Sequence, residues 1–317
     1  MGKTAILGAA GSTGKAIGVE LARRGAEVRV VGRQASRLEA AFAGAGVEMV
    51  AADLETVGGA AAALEGVDTA VMTIGIPYPE FRRYPPMMRN VVKAAEQAGV
   101  RRFLLVTNIY PYGRPQSEFV DETHPRKPIA FKGRMRLEQE QILQQSPHMK
   151  WIVLRLPDFF GPEAELSYAR MIFEAALKGK AAQLFAPADT PHQFVYTRDA
   201  GPVVADLLAR EDGWNEVYHF AGSGLITVNE LARRIYAAAS QRYRRQMVPY
   251  WLLRAMGLFQ PLMREFCEMH YLQTTPVNLS DAKLVRHLGN VRRTPYAEGI
   301  AATLAAMGEK PFAPLTA

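Results

Sequence analysis

Short apolar runs alternate with stretches of helical period along the first half of the chain. Thr4–Leu7, Val28–Val31, Val47–Ala51, Thr69–Ile74, Phe103–Thr107 and Trp151–Leu154 are brief, mostly apolar and rich in β-branched residues, the pattern of strands buried on both faces. Between them, Gly14–Arg24, Ser36–Ala43, Val57–Leu64, Pro85–Ala98 and Gly133–Gln145 have the length and spacing of helices. Strands and helices alternating at this interval predict a parallel sheet with helices on both faces, joined by right-handed crossovers.

After about residue 155 the pattern loosens. Leu156-Pro157-Asp158, Gly161-Pro162 and Pro187 to Pro191 read as loops, and helices recur at Ser167–Leu177, Asp199–Arg210, Val228–Ala239 and Tyr296–Ala306. Two regions are therefore expected: a nucleotide-binding domain over residues 1–155, and a smaller, mostly helical substrate-binding or lid region over residues 156–317, some segments of which return to the first sheet. Pro249 to Met269 is rich in Trp, Leu, Met and Phe. Packed or lid-forming helices are favoured there over contact with a membrane surface.

The chemistry begins at the first turn. Strand one runs into Gly8-Ala9-Ala10-Gly11-Ser12-Thr13-Gly14 and a helix follows. Glycines at this spacing let the backbone turn tightly and approach a pyrophosphate, while the helix N-terminus aims free N–H groups at the same anion. The placement between strand and helix is what gives the motif its meaning, and it makes the α/β fold a Rossmann doubly wound sheet. Gly8, Ala10, Gly11, Ser12, Thr13 and Gly14 are thus expected to hold a dinucleotide. The tip of strand two reads Val31-Gly32-Arg33-Gln34-Ala35-Ser36-Arg37. No carboxylate stands there to accept hydrogen bonds from the ribose 2′-hydroxyl of NAD, whereas Arg33, helped by Ser36 and Arg37, suits the 2′-phosphate of NADP. NADP(H) is therefore expected ahead of NAD(H). Asp53 and Leu54 after strand three suit the adenine edge, and Thr73 and Gly75 end strand four at the carboxyl edge of the sheet, where ligands bind.

The chain resembles the extended or atypical short-chain dehydrogenases/reductases, the superfamily that includes nucleotide-sugar epimerases and dehydratases. The resemblance rests on Gly8–Gly14, Asp53-Leu54, Tyr112-Gly113 followed by Val120–Pro125, Leu154–Pro162 and Phe194–Ala200, and spans nearly the whole chain. It implies that Thr107 and Pro157 meet the cofactor. It also implies a catalytic Tyr and Lys four residues apart with a nearby Ser or Thr, and here the sequence departs. The corresponding helix reads Phe131-Lys132-Gly133-Arg134-Met135-Arg136-Leu137-Glu138-Gln139-Glu140, with no Tyr-x-x-x-Lys. Arg136 stands where the Lys is expected and can bind the nicotinamide-side ribose or phosphate. Asn108 can donate to a carbonyl oxygen. Two residues compete as proton donor: Tyr110, which leaves strand five, and Lys132, whose pKa burial could lower. His124 and His192 lack a second ligand at metal spacing, so no metal is expected.

These readings imply an NADP(H)-dependent oxidoreductase that reduces a small carbonyl or activated double bond. The alternatives are a nucleotide-sugar epimerase or dehydratase, and a non-catalytic NADP-binding sensor or scaffold. Bulk properties narrow little beyond this. The 317 residues carry 38 Lys and Arg against 31 Asp and Glu, a net charge of +7, in short clusters such as Arg82-Arg83 and Arg242 to Arg245. No nucleic-acid-binding module accompanies them. The single cysteine, Cys267, excludes an internal disulfide. With no leader and no apolar run of spanning length in the sequence, the expectation is a cytoplasmic protein whose partner is a small molecule, with no nucleic acid and no membrane. The resemblance suggests a homodimer through helices Pro85–Ala98 and Gly133–Gln145.

Overall fold

The computed structural model describes residues 2–308. Six strands alternate with helices as the sequence pattern predicts: β1 (Thr4–Leu7), β2 (Val28–Gly32), β3 (Glu48–Ala51), β4 (Thr69–Met72), β5 (Arg102–Asn108) and β6 (Lys150–Leu156), with α1 (Ser12–Arg23), α2 (Ala35–Phe42), α3 (Val57–Leu64), α4 (Tyr84–Gln97) and α5 (Phe131–Gln144) between them. The chain continues through β7 (Asp158–Phe160), α6 (Tyr168–Leu177), β8 (Ala182–Phe185), β9 (Pro191–Tyr196), α7 (Ala200–Ala209), β10 (Glu216–His219), β11 (Leu225–Thr227), α8 (Val228–Ala238) and β12 (Arg245–Val248). It then closes with α9 (Tyr250–Gly257), α10 (Pro261–Met269), α11 (Tyr271–Thr274), α12 (Ala282–Leu288) and α13 (Tyr296–Gly308).

The main sheet has seven strands in the order β10-β6-β5-β4-β1-β2-β3, all parallel. This is the Rossmann α/β fold. Side chains of successive residues face opposite sides, so each strand feeds two cores. Leu7, Met72, Leu105 and Val153 pack with α3, α4 and α5, while Ile6, Val71, Leu104 and Leu154 pack with α1 and α7. The second half of the chain supplies β10 at the sheet edge, beside β6, and α7 against α1.

The chain works outward from β1 to β3 and returns to β4 on the other side of β1. The strand order therefore reverses between β1 and β4, and a crevice opens beyond their carboxyl ends. Over this crevice sits a second layer: a three-stranded sheet β11-β9-β7, a parallel pair β12-β8, and a core in which α6, α8 and α13 close around Phe160, Phe173 and Tyr196. The sequence pattern misses these strands, which have three to six residues and look like loops because prolines stand at or near all but β11, which is only three residues long and follows Gly222-Ser223-Gly224. Outward positions of α4 and α5 carry Arg89, Lys93, Arg134 and Gln141, a polar surface. No helix among the described residues is long and apolar enough to cross a membrane.

Candidate functional site

The three glycines of the first turn do different work. Gly8 has φ +89°, in the left-handed region, and a Cβ there would come 2.9 Å from the Ile74 side chain. At Gly14 a Cβ would meet the Gly8 carbonyl at 2.4 Å and Thr73 Oγ1 at 2.7 Å, so α1 can press against the turn only with glycine there. Gly11 differs. Its φ of −78° suits any residue, and a Cβ would touch nothing closer than the Gly8 carbonyl at 3.5 Å. Neither packing nor backbone strain requires glycine at position 11. What the position does is open the turn at the N-terminus of α1, whose first turn carries no acidic side chain. That arrangement fits a pyrophosphate brought against backbone N–H groups. Gly11→Ala should fold normally yet bind the nicotinamide cofactor roughly tenfold or more weakly, the cost of displacing one charge-assisted hydrogen bond. Calorimetric titration measures this, and unchanged affinity would remove the pyrophosphate from this turn.

From the turn a cleft of about 440 Å³ runs along the carboxyl edge of the sheet. It brings together most of the residues expected from sequence. Gly8, Ala10, Gly11, Ser12 and Thr13 line one wall, with Arg33 and Arg37 from the end of β2 and the start of α2. Asp53 and Leu54 follow β3, Thr73 and Gly75 follow β4, Thr107 and Asn108 end β5 with Tyr110 just beyond, and Pro157 follows β6; Arg136 enters from α5. Gly14 lies buried beneath the turn, and Ser36 is exposed outside the lining.

A strap between β7 and α6 crosses this cleft. Glu163 on it pairs with Lys15 at 2.9 Å, Glu165 pairs with Arg37 at 3.2 Å, and Leu166 lies against Gly75. Arg37 is thus already matched by a carboxylate, whereas Arg33 carries no ion pair among the described residues.

At the far end the side chains become aromatic. The Tyr110 hydroxyl is hydrogen-bonded to that of Tyr78 at 2.8 Å. Burial pushes the Tyr78 phenol up to about 12 and that of Tyr110 well above its ordinary value, so both stay protonated. The Asn108 carbonyl oxygen accepts from the Tyr110 backbone N–H at 3.1 Å, which leaves its amide N–H groups toward the cleft. Two buried donors on the lining have no acceptor among the described residues: Thr107 Oγ1 and Arg136 Nε. Arg136 donates to Gln139 at 2.9 Å and to the Tyr84 hydroxyl at 2.6 Å, but no carboxylate among the described residues neutralises it. A buried, unneutralised guanidinium beside an orphaned hydroxyl fits an anionic or polyhydroxyl ligand at this point.

Lys132, expected from sequence as a candidate proton donor, is not among the residues that line the cleft. Its side chain is fully buried and its ammonium is clamped by the carboxylates of Glu265 and Glu268 on α10, away from the cleft lining. Their positions, more than 130 residues along the chain, could not be read from the helix that carries Lys132.

The residue that sequence reasoning missed is Asp158, the first of β7. It lines the cleft and also a smaller, largely aromatic cavity beyond it, formed with Tyr78, Tyr110, Tyr168, Phe185 and Phe266 and with the polar His270 and Gln273. Burial raises its carboxyl to about 6. The only available signal was a lone charge set in Leu156-Pro157-Asp158-Phe159-Phe160, an otherwise apolar run. His124 accepts a hydrogen bond from the Gln116 backbone, and burial in β9 pulls His192 down to about 4, in its neutral form.

Residues 8–183 match the family model described as NAD(P)H-binding. Comparison with curated proteins found no match. Among solved structures, the Bordetella bronchiseptica enzyme WbmH in complex with NAD+ superposes with a TM-score of 0.80 at 20% identity, covering 98% of this chain and 99% of that one. The UDP-glucose 4-epimerase of Thermus thermophilus in complex with NAD gives 0.78 at 20% identity, over 97% and 99%. A dTDP-glucose 4,6-dehydratase double mutant from Streptomyces venezuelae, DesIV, with NAD and DAU bound, gives 0.80 at 20% identity, over 98% and 97%. The fold likeness thus runs the full length of the described chain.

Proposed function

The chain belongs to the NAD(P)H-binding family, and from that premise we propose that it is an oxidoreductase that reduces a small, apolar carbonyl compound or activated double bond with NADP(H). The observation that carries this reading is the pairing of one carboxyl with a largely aromatic cavity. Beyond the cleft, Asp158 faces a small cavity of about 40 Å³ whose lining is mostly aromatic and aliphatic, with His270 and Gln273 among it, and neither lysine nor arginine lines it among the described residues. A nucleotide diphosphate would require cationic partners there; an apolar carbonyl requires none.

The reduced nicotinamide supplies the hydride. The protein's part is to hold the substrate and give the proton. Asn108 donates an amide hydrogen bond to the substrate oxygen, and Tyr78 and Tyr110 wall the pocket as neutral phenols. The proton passes from the Asp158 carboxyl to the substrate oxygen as the C=O π bond breaks, and the carboxylate is reprotonated from solvent. Near neutral pH a carboxyl at about 6 is better matched to this work than a phenol above 10. This replaces the Tyr–Lys pair that the resemblance implies. Arg136 and Thr107 offer the ribose its donors.

Arg33 supports NADP(H) over NAD(H), because among the described residues it is the unpaired cation at the tip of β2 and no carboxylate stands beside it. The compared structures that carry NAD in their descriptions stand on the other side. The test is oxidation of NADPH, followed at 340 nm, with apolar aldehydes, ketones and enones. Turnover is expected, together with a preference for NADPH that Arg33→Asp lowers roughly tenfold, the value of one bidentate phosphate contact. Tight cofactor binding without turnover on any substrate would favour a sensor instead. The second reading is a nucleotide-sugar epimerase or dehydratase, supported by the full-length likeness to such enzymes. Saturable binding of UDP- or dTDP-sugars would favour it.

A further inference from the structure

α9 and α10 form a short hairpin with two unlike faces. The inner face is packed. Leu253 and Met269 are buried, Phe266 meets Phe185 at 5.0 Å between ring centroids, Glu265 and Glu268 hold Lys132, and His270 just beyond is hydrogen-bonded to the Ala186 carbonyl at 2.8 Å. The outer face is bare. Trp251 is 70% exposed, Leu258 73%, Phe259 86% and Leu262 45%. Of the other exposed large apolar side chains, Ile129 and Phe131 form a pair and others, such as Val19 and Leu225, stand alone, as on any protein surface. Four such residues within twelve positions of one hairpin make a patch that requires an occupant.

Charge says which occupant. Residues 235–264 contain Arg242, Arg244, Arg245, Arg254 and Arg264 and no aspartate or glutamate. On the hairpin itself Arg254 and Arg264 are exposed and have no ion pair among the described residues. The nearest acids in the chain, Glu265 and Glu268, are turned inward to Lys132. Residues 235–264 thus set apolar side chains at the hairpin tip among arginines with no acid of their own, and of these arginines only Arg245 reaches a carboxylate among the described residues, Asp189 at 3.8 Å. A second copy fits poorly, because a two-fold contact would set this positive patch against itself. Trp, Leu and Phe at a tip flanked by arginines match the boundary between acyl chains and anionic headgroups.

We propose that the α9–α10 hairpin docks this protein on an anionic membrane surface, with Trp251, Leu258, Phe259 and Leu262 entering the headgroup region and Arg254 and Arg264 pairing with lipid phosphates. The contact is peripheral. It departs from the sequence expectation of no membrane, because in the sequence the two faces of this segment cannot be told apart. It stands independently of the proposed reaction, although Leu253 and Phe266 on the hidden face line the cavity beyond Asp158.

The full-length protein should co-sediment with vesicles of three parts phosphatidylcholine to one part phosphatidylglycerol. Association should fall roughly tenfold on pure phosphatidylcholine and fall again in high salt. Trp251→Ser/Leu258→Ser/Phe259→Ser should lose binding, and Arg254→Gln/Arg264→Gln should bind anionic vesicles no better than neutral ones. Cofactor affinity, measured on the same preparations, should stay unchanged in both, since these side chains touch neither the cleft nor the core. Equal sedimentation of the triple variant, or no sedimentation of the wild type, overturns the proposal. So does light scattering that finds a wild-type dimer and a monomeric triple variant, which would assign the patch to self-association.

Discussion

Asp158→Asn is expected to lower kcat/KM for carbonyl reduction by about 10²- to 10⁴-fold, the range for removing a general acid, while leaving cofactor affinity nearly unchanged. Asparagine keeps the size of the side chain and can still donate a hydrogen bond, but it has no proton to give. The pH dependence follows from the direction of the shift. Burial raises the Asp158 carboxyl to about 6, so the acid form is present below that pH. The wild-type kcat/KM should fall as pH rises through about 6, and Asp158→Asn should flatten that limb. Stability provides a separate readout. A carboxyl whose folded pKa lies above its unfolded value favours the fold below the unfolded pKa, and that contribution is lost as pH rises through about 6. Asp158→Asn should therefore be more stable than wild type at pH 8 while being far less active. A structural role alone would move stability and activity together. A variant with full activity and an unchanged pH profile would eliminate Asp158 as proton donor.

How far the sequence reaches depends on how local the cause is. The six strands and five helices of the first half are written in runs and periods a few residues long, and the structure has them at nearly those bounds. The cleft lining near the turn is equally local, because Gly8 to Thr13, Arg33, Asp53 and Thr73 all sit where strands end. The chemistry at the far end is not local. Lys132 looks available on its helix and is neutralised by Glu265 and Glu268. Asp158 looks like a loop residue between a proline and two phenylalanines. Its raised carboxyl comes from burial at the meeting of Tyr78, Tyr110 and Tyr168, three segments far apart in sequence. Burial beside Tyr78, 32 residues earlier, raises the Tyr110 phenol, and this too is not written at the end of β5.

The largest effect on stability is expected away from the cleft, at Arg155. Its guanidinium is buried in β6, pairs with both oxygens of the buried Glu140 on α5, and donates to the Tyr112 hydroxyl. Tyr112 in turn meets His219 Nε2 at 2.6 Å, and His219 Nδ1 meets the Ser280 carbonyl at 3.1 Å. Burial, with the Arg155 charge adding to it, pulls His219 down to about 3, so its ring is neutral. A neutral ring bonded to a carbonyl must donate from Nδ1. Nε2 then accepts from Tyr112, and Tyr112 accepts from Arg155, so every group in the chain of bonds is satisfied. Arg155→Ala leaves Glu140 with Arg126 alone, at 3.5 Å and partly in solvent. The expected cost is about 3–5 kcal/mol, because an uncompensated buried charge remains. It should appear as a lower urea midpoint at unchanged slope. Arg155→Met/Glu140→Leu should recover most of the loss, since an apolar pair leaves no charge behind. α5 carries Arg136 one turn before Glu140, so the single variant should also weaken cofactor binding while the double variant restores it. A single variant costing under about 1 kcal/mol would show that the pair behaves like a surface salt bridge and that α5 is held to the sheet by its apolar contacts alone.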